Sequence, residues 1–142
     1  MTLIVDASVA FKWFVTEKDS TSAISLLNSG HLLYAPDLII AEVCNVGWRV
    51  WLRGEITGEQ LQIISMRIGA PFSKLAALSQ LAPRATDIAC LLKHPAYDCF
   101  YLALAEQEKA PLVTADERLI SRLTGTPFES LVISLARWKS IP

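Results

Sequence analysis

The sequence predicts an α/β fold, a three-layer α/β/α sandwich with a central, mainly parallel sheet of four to five strands. Two observations predict it. Short apolar runs bounded by turn residues are too continuous for half-exposed strands and are typical of a buried parallel sheet. Longer stretches with helical periodicity fill the gaps between the runs, and this alternation favours helices on both faces of one sheet.

The elements follow from these two patterns in chain order. The predicted strands are residues 3–5, 32–34, 112–114 and 131–133. The predicted helices are residues 8–15, 20–29, 37–53, 58–69, 80–93, 95–109 and 117–124. Asp37 is expected to be an N-cap and Pro95 a first helical residue, because these residue types favour those positions. Glycines at three positions mark helix ends: Gly30, Gly54 and Gly125. Residues 71–78 carry no clear signal.

Length and composition exclude several classes of protein. A chain of 142 residues fits one domain, residues 1–142, with a sizeable core. No apolar run is long enough to span a membrane, and the first residues lack the basic start of a signal peptide. The three cysteines are scattered in apolar surroundings, so we expect buried free thiols in a reducing compartment, the cytoplasm: Cys44, Cys90 and Cys99.

The net charge leaves a nucleic-acid partner open. A formal charge of −1 argues against a basic binding face. If four acids were gathered in one site, however, the rest of the chain would carry +3. The hydrophobic content of 52% slightly exceeds the usual range of about 45–50%, so some apolar surface is expected to be covered by a partner.

Four acids do not fit their local surroundings. Asp6 and Asp116 each follow a predicted strand, at the edge where open α/β sheets bind ligands, although both are also good N-caps. Glu42 and Asp98 lie in apolar helices, where a charge needs a partner. Ion pairs are the alternative explanation, Arg49 with Glu42 or another arginine with Asp98.

Taken together, the four acids favour a metal site. Clustered carboxylates raise each other's pKa, and a hard divalent cation relieves that repulsion. Mg²⁺ takes oxygen ligands of this kind. Nothing favours zinc, because the cysteines are unpaired and His31 and His94 are far apart in the sequence.

Four segments occur in an order that resembles a known family. DASV from Asp6, AEVCN from Ala41, YDCFYLALA from Tyr97 and TAD from Thr114 resemble the successive motifs of PIN-domain ribonucleases, and most closely those of VapC toxins. The resemblance extends over essentially the whole chain. It implies a PIN-like fold, a parallel sheet between helices.

The resemblance also implies an activity and its residues. The activity is that of a metal-dependent endoribonuclease, which hydrolyses RNA phosphodiester bonds with a water activated by Mg²⁺ or Mn²⁺. The catalytic acids would be Asp6, Glu42, Asp98 and Asp116, with Asp6, Asp98 and Asp116 as metal ligands. Glu42 would be a ligand or would orient or deprotonate the water. The supporting residues would be Ser8, Asn45, Thr114 and Glu117, although whether Glu117 turns toward the metal or only favours its helix N-terminus stays open.

The expected partners are RNA, a cognate antitoxin on a separate chain, and a second copy in a homodimer. The basic residues expected to hold RNA are Lys12, Arg49, Arg53 and Arg118. The apolar opening helix, with Val9, Trp13 and Phe14, would contact the antitoxin or the second copy, or belong to the core. Trp48 and Trp51 are expected to pack rather than to stack on bases.

The main alternative is a catalytically silent PIN-like module that binds RNA or a partner protein. Buried arginine–carboxylate pairs would favour such a scaffold, whereas an acidic groove that takes up Mn²⁺ would favour a nuclease. An aspartyl-phosphate phosphatase needs a second Asp where Ser8 stands, and a receiver domain needs adjacent early acids that are absent. Nucleotide-binding loops are excluded because no glycine-rich loop is present.

Overall fold

A five-stranded sheet forms the centre of the computed structural model, which describes residues 1–138. The strands are β1 (Thr2–Val5), β2 (Leu32–Pro36), β3 (Lys74–Ala76), β4 (Leu112–Thr114) and β5 (Val132–Ser134). The helices are α1 (Ala7–Ala10), α2 (Ser20–Leu27), α3 (Leu38–Leu52), α4 (Gly58–Arg67), α5 (Leu78–Leu92), α6 (Ala96–Glu108), α7 (Glu117–Leu123) and α8 (Leu135–Trp138). Two short 3₁₀ turns, Phe11–Trp13 and Glu129–Leu131, follow α1 and precede β5. The last four residues of the expected domain, 139–142, lie outside the described part.

The strand order is β3-β2-β1-β4-β5, and all four neighbouring pairs are parallel. Ile4 of the central strand β1 therefore lies beside both Tyr34 of β2 and Leu112 of β4. The chain builds outward from β1 to β3 and then returns to the other side of β1. This reversal lies between β1 and β4, and open α/β sheets bind ligands in the crevice at the carboxyl ends of strands at such a point. The predicted three-layer α/β fold with a parallel sheet is confirmed.

The core lies between the sheet and its helices. Leu3, Ile4 and Val5 are fully buried, because β1 has a strand on each side and helices over it. Helix α6 packs directly on β1, β2 and β4, and α5 packs along α6. This double contact explains why α6 is apolar around most of its circumference.

Strand β3 was missed by the sequence prediction, which assigned nothing to residues 71–78. It is only three residues long, and Lys74 at its start is exposed. Short, charged strands are typical of sheet edges, where they discourage pairing with another chain. Its pairing depends on β2, with Leu75 beside Ala35, so the local sequence carries little of the signal.

Most element boundaries differ from the prediction by one or two residues, and a few differences concern the way an element begins. The expected opening helix, 8–15, is split into α1 and a 3₁₀ turn, and the last strand begins at residue 132 rather than 131. Asp37 occupies the N-cap position of α3, but its side chain makes no capping hydrogen bond. Pro95 precedes α6 as its N-cap instead of being its first residue. The three glycines expected at helix ends all have positive φ: Gly30, Gly54 and Gly125.

The cysteines are free thiols, as expected, but only one of them is buried. Cys99 on α6 is buried, Cys44 is half-buried and Cys90 is exposed. Cys90 is exposed because α5 turns Ala85 and Ile88 toward the core, and a residue two positions after Ile88 lies on the other side of the helix. Within residues 1–138, every helix is too short or too polar to cross a membrane.

Candidate active site

Asp6 and Asp116 lie at the same edge of the sheet because they follow the neighbouring parallel strands β1 and β4. Each also begins a helix. Asp6 Oδ1 accepts a hydrogen bond from Val9 N at 3.3 Å, and Asp116 Oδ1 accepts from Arg118 N at 3.0 Å and from Leu119 N at 3.2 Å. Both interpretations of these acids therefore apply: each one caps a helix, and each one lies at the end of a strand.

Two hydroxyl groups hold the Asp6 carboxylate. Ser8 Oγ donates to Oδ1 at 2.6 Å, and Thr114 Oγ1 donates to Oδ2. Each hydroxyl also accepts a backbone N–H at 3.0 Å from the loop after β4, Ser8 from Ala115 and Thr114 from Asp116. A hydroxyl has one hydrogen to donate and lone pairs that accept, so each of these hydroxyls can bridge the Asp6 carboxylate and a backbone N–H. The two bridges fix the carboxylate relative to the backbone at Ala115 and Asp116.

Asp6 is held in a position that penalises its charge. Burial raises its pKa from 3.8 to about 6, although the hydrogen bonds from Ser8, Thr114 and Val9 N lower it. The negative charge of Asp98 raises the pKa further. Perturbed carboxylates of this kind are typical of functional sites.

Glu42 on α3 is joined to α6 through Tyr101. Tyr101 Oη donates to Glu42 Oε1 at 2.6 Å. Burial raises the pKa of Glu42, the tyrosine hydrogen bond lowers it, and the charge of Asp98 raises it. Burial and the charge of Glu42 keep the pKa of Tyr101 well above its usual value, so the phenol remains a donor. Sequence analysis assigned no role to Tyr101, although it follows Asp98 by three residues, on the same face of α6.

Asp98, in the first turn of α6, is the acid that connects the others. Its charge raises the pKa of both Asp6 and Glu42, so it lies within electrostatic reach of each. Its Oδ2 is 2.6 Å from Nε2 of His94, a second residue to which sequence analysis assigned no role. The available signal was the spacing i, i+4. Asp6, Glu42 and Asp98 thus interact as one group, and Asp116 is joined to it through Thr114.

Cationic side chains do not neutralise this group. Within residues 1–138, no lysine or arginine forms an ion pair with any of the four acids. The alternative explanation by ion pairs, Arg49 with Glu42 or an arginine with Asp98, is therefore wrong. In the same part of the chain, no group of three or more His, Cys, Asp or Glu side chains is placed to hold a metal ion.

Two predicted supporting residues stand apart from the acids. Asn45 is exposed on α3 and makes no side-chain hydrogen bond with any residue among 1–138. Glu117 is exposed, and its Oε1 accepts a hydrogen bond from Ser134 Oγ on β5 at 2.9 Å. Its carboxylate thus bonds to the edge strand.

Two of the four predicted RNA-binding cations form ion pairs with nearby glutamates. Lys12 pairs with Glu17 at 3.1 Å and Arg53 pairs with Glu55 at 3.2 Å. Both acids line an apolar cleft of about 420 Å³ between the 3₁₀ turn after α1 and helices α3 and α4. Arg49 on α3 and Arg118 on α7 are exposed.

The aromatic residues divide into core and surface groups. Val9 is fully buried, and the Trp13 indole N–H donates to Ala23 O at 2.9 Å, so both belong to the core. Phe14 lines the apolar cleft. The side chains of Trp48 and Trp51 are 47% and 43% exposed, so the expectation that they pack is only half met.

Comparison with known proteins decides the family. The PIN domain profile matches residues 3–125. The chain belongs to the PIN-domain family. This PIN domain is 30% identical over 124 residues to Ribonuclease VapC3 of Pyrobaculum aerophilum, a match that covers 86% of this chain and 95% of the relative. The resemblance to VapC proteins is confirmed.

Solved structures share the fold of this PIN domain at lower identity. VapBC2 of Rickettsia felis, bound to a DNA fragment from its promoter, matches with a TM-score of 0.67 and 13% identity, over 94% of this chain and 98% of that one. A toxin–antitoxin complex from Klebsiella pneumoniae matches with a TM-score of 0.63 and 16% identity, over 94% and 97% of the two chains.

Proposed function

We propose that this PIN domain is a metal-dependent endoribonuclease, the toxin of a toxin–antitoxin pair, which hydrolyses RNA phosphodiester bonds with an activated water. The observation that carries the proposal is the position of Asp98. Its charge acts on both Asp6 and Glu42, and no lysine or arginine among residues 1–138 pairs with any of them. A scaffold would neutralise such acids, and the similarity to Ribonuclease VapC3 supports a nuclease.

The residues present fit a divalent cation. Their donor atoms are carboxylate oxygens, which suit Mg²⁺ or Mn²⁺, and the raised pKa of Asp6 reflects a charge that a cation would stabilise. Mg²⁺ typically keeps several waters and takes one or two carboxylates, so a complete protein cage is not required. We propose Asp6, Asp98 and Asp116 as its ligands. When bound, the ion supplies water activation and neutralises charge on the scissile phosphate.

The chain's own groups orient the reaction. Tyr101 holds Oε1 of Glu42, which leaves Oε2 to orient the attacking water or accept its proton. The raised pKa of Glu42 suits a general base, because proton transfer is most effective when the pKa approaches the working pH. Ser8 and Thr114 hold Asp6 in one rotamer.

RNA would be held by exposed cations around the crevice. Arg49 and Arg118 form no ion pair within residues 1–138, so they are the stronger candidates for phosphate contacts. Lys12 and Arg53 are already paired with Glu17 and Glu55, which weakens their case. We propose Asn45 and Glu117 only as outer groups, since within residues 1–138 their side chains form no hydrogen bond with the acids.

We propose that the antitoxin inserts an apolar segment into the cleft that Phe14 lines. Most residues that line this cleft are phenylalanine, valine and isoleucine, and exposed apolar surface of this kind often marks a protein contact. Toxin–antitoxin complexes among the structures of the same fold support such a partner. We also propose that the chain forms a homodimer. We propose a cytoplasmic location, because free cysteines are typical of a reducing compartment.

Cleavage of a mixed pool of structured RNAs with Mn²⁺ tests the function. The wild-type chain should cut, and Asp98→Asn should lose on the order of 100-fold or more of that activity, because it removes a charge at the reacting centre. Asp87→Asn is the matched control, since Asp87 is exposed on α5 and pairs with Arg84 of the same helix. A chelator should stop the reaction.

Two results would contradict the proposal. Equal cutting by wild type and Asp98→Asn would indicate a contaminating nuclease. A wild-type chain that binds Mn²⁺ and the RNA pool but cuts nothing would favour the silent binding module.

A further inference from the structure

His94 lies in the turn between α5 and α6, and its ring contacts Asp98. Its Nε2 is 2.6 Å from Oδ2 of Asp98, and its side chain is only 14% exposed. No hydrogen bond from residues 1–138 reaches the other oxygen of Asp98, Oδ1. One oxygen of this carboxylate is thus held by a ring, and the second remains available.

The backbone around His94 is anchored on both sides. Lys93 adopts a left-handed conformation, φ 52° and ψ 46°, and ends α5. Its carbonyl accepts a hydrogen bond from Arg122 of α7 at 3.1 Å. His94 N donates to Ala89 O at 3.2 Å, and Pro95 restricts the next φ angle. The imidazole is therefore delivered to Asp98 by a turn that three helices hold in place.

The surroundings of the ring select one tautomer. An ionised carboxylate only accepts hydrogen bonds, so the hydrogen between the two groups belongs to Nε2. Nδ1 is buried and has no hydrogen-bond partner within residues 1–138. A hydrogen on Nδ1 would therefore be buried without an acceptor, which is costly. The Nε2–H tautomer fits this pocket.

We propose that His94 is a positioning residue: its Nε2–H holds Oδ2 of Asp98 and turns Oδ1 toward a divalent cation. This inference rests on the proposed metal site and extends it to a residue outside the acidic group. Groups that orient a metal ligand by a hydrogen bond typically change metal affinity by about 10–100-fold when they are removed. Tyr101 holds Glu42 in a similar way, because its hydroxyl donates to Oε1 and leaves Oε2 for the attacking water.

Measuring Mn²⁺ binding to three variants distinguishes a positioning role of the His94 side chain from a role in packing alone. His94→Leu keeps much of the volume and removes the donor, so its Mn²⁺ affinity should fall about 10–100-fold. His94→Gln keeps an N–H at a similar reach and should stay within a few-fold of wild type. His31→Leu, the control at the other histidine, should bind as wild type does. The urea midpoint of each variant shows that it is folded.

Nuclear magnetic resonance of the metal-free protein gives a readout that does not depend on activity. The Nε2 of His94 should carry a hydrogen that is bonded to Asp98. In Asp98→Asn this pattern or its shifts should change, and the signals of His31 should stay unchanged.

The outcomes are distinct from those of the nuclease test. Wild-type Mn²⁺ affinity in folded His94→Leu, or an Nε2 that carries no hydrogen, overturns the positioning role while leaving the nuclease intact. A wild-type chain that binds Mn²⁺ but does not cut RNA removes the proposed function, whereas a weakened affinity in His94→Leu alone still supports the role of His94.

Discussion

Asp6 shows how far burial outweighs hydrogen bonding at a single residue. Three groups donate to its carboxylate: the hydroxyls of Ser8 and Thr114 and the backbone N–H of Val9. Such donors normally lower a carboxyl pKa. Burial beside Asp98 nevertheless raises it to about 6, so the metal-free fold carries an unfavourable charge at neutral pH.

The pH dependence of stability should reveal this charge. A carboxyl whose folded pKa is raised stabilises the fold below its unfolded pKa, and that contribution is lost as pH rises through about 6. In a chelating buffer, Asp6 should lower the free energy of unfolding by about 2–3 kcal/mol between about pH 4 and about pH 7. Asp6→Asn should remove that part of the dependence, as measured by urea unfolding.

Asp87→Asn again provides the comparison, because Asp87 is exposed and its variant should follow the wild-type pH curve. Parallel curves for wild type and Asp6→Asn would show that Asp6 ionises in the metal-free fold at no cost. The assignment of Asp6 as a buried site acid would then be wrong.

Helix α6 and the turn before it carry much of the site. Asp98 and Tyr101, three residues apart, lie along one face of α6, and His94 in the preceding turn contacts Asp98. Both residues act on Glu42 of α3: Tyr101 donates a hydrogen bond to it, and the charge of Asp98 raises its pKa. The same helix buries its remaining faces against the sheet and α5, which explains how a charged residue occurs in so apolar a segment.

The cleft between the 3₁₀ turn after α1 and helices α3 and α4 is where the antitoxin should bind. Ile63 lines the cleft and is 49% exposed. Ile63→Glu should weaken inhibition of RNA cleavage by the cognate antitoxin by about tenfold or more, because a charge would be desolvated in an apolar contact. Cleavage by the toxin alone should not change.

Met66→Glu is the matched control on the same helix. Met66 is 81% exposed and does not line the cleft, so its variant should be inhibited as wild type is. Full inhibition of Ile63→Glu, or equal loss in both variants, would place the antitoxin elsewhere.

The whole molecule should become more stable when a divalent cation binds. Ligands that bind only the folded state add about 2–3 kcal/mol at about a hundred times their Kd, which for a chain of this size raises Tm by roughly 5–10 °C. Mn²⁺ should produce this rise in wild type and in Asp87→Asn. In Asp98→Asn most of it should disappear, as followed by thermal unfolding.

A rise of equal size in Asp98→Asn would mean that Mn²⁺ binds at other surface carboxylates. A chelator should return the wild-type Tm to its metal-free value.

The sequence by itself predicted four of the five strands and singled out the four acids. Buried strands such as β1 are continuous apolar runs, which are visible in the sequence. Glu42 and Asp98 are also visible, because a charged residue in an apolar helix needs a partner. The ordered motifs predicted the PIN-domain family, which the profile match confirms. Each of these signals lies within a short segment.

Only the tertiary structure decided how the groups pair. The hydrogen bonds of Thr114 with Asp6 and of Tyr101 with Glu42 join residues that are 108 and 59 positions apart. Strand β3 likewise depends on β2 for its pairing. Contacts between distant segments leave no periodic trace in either segment, because they arise only when the sheet brings its carboxyl ends to one edge.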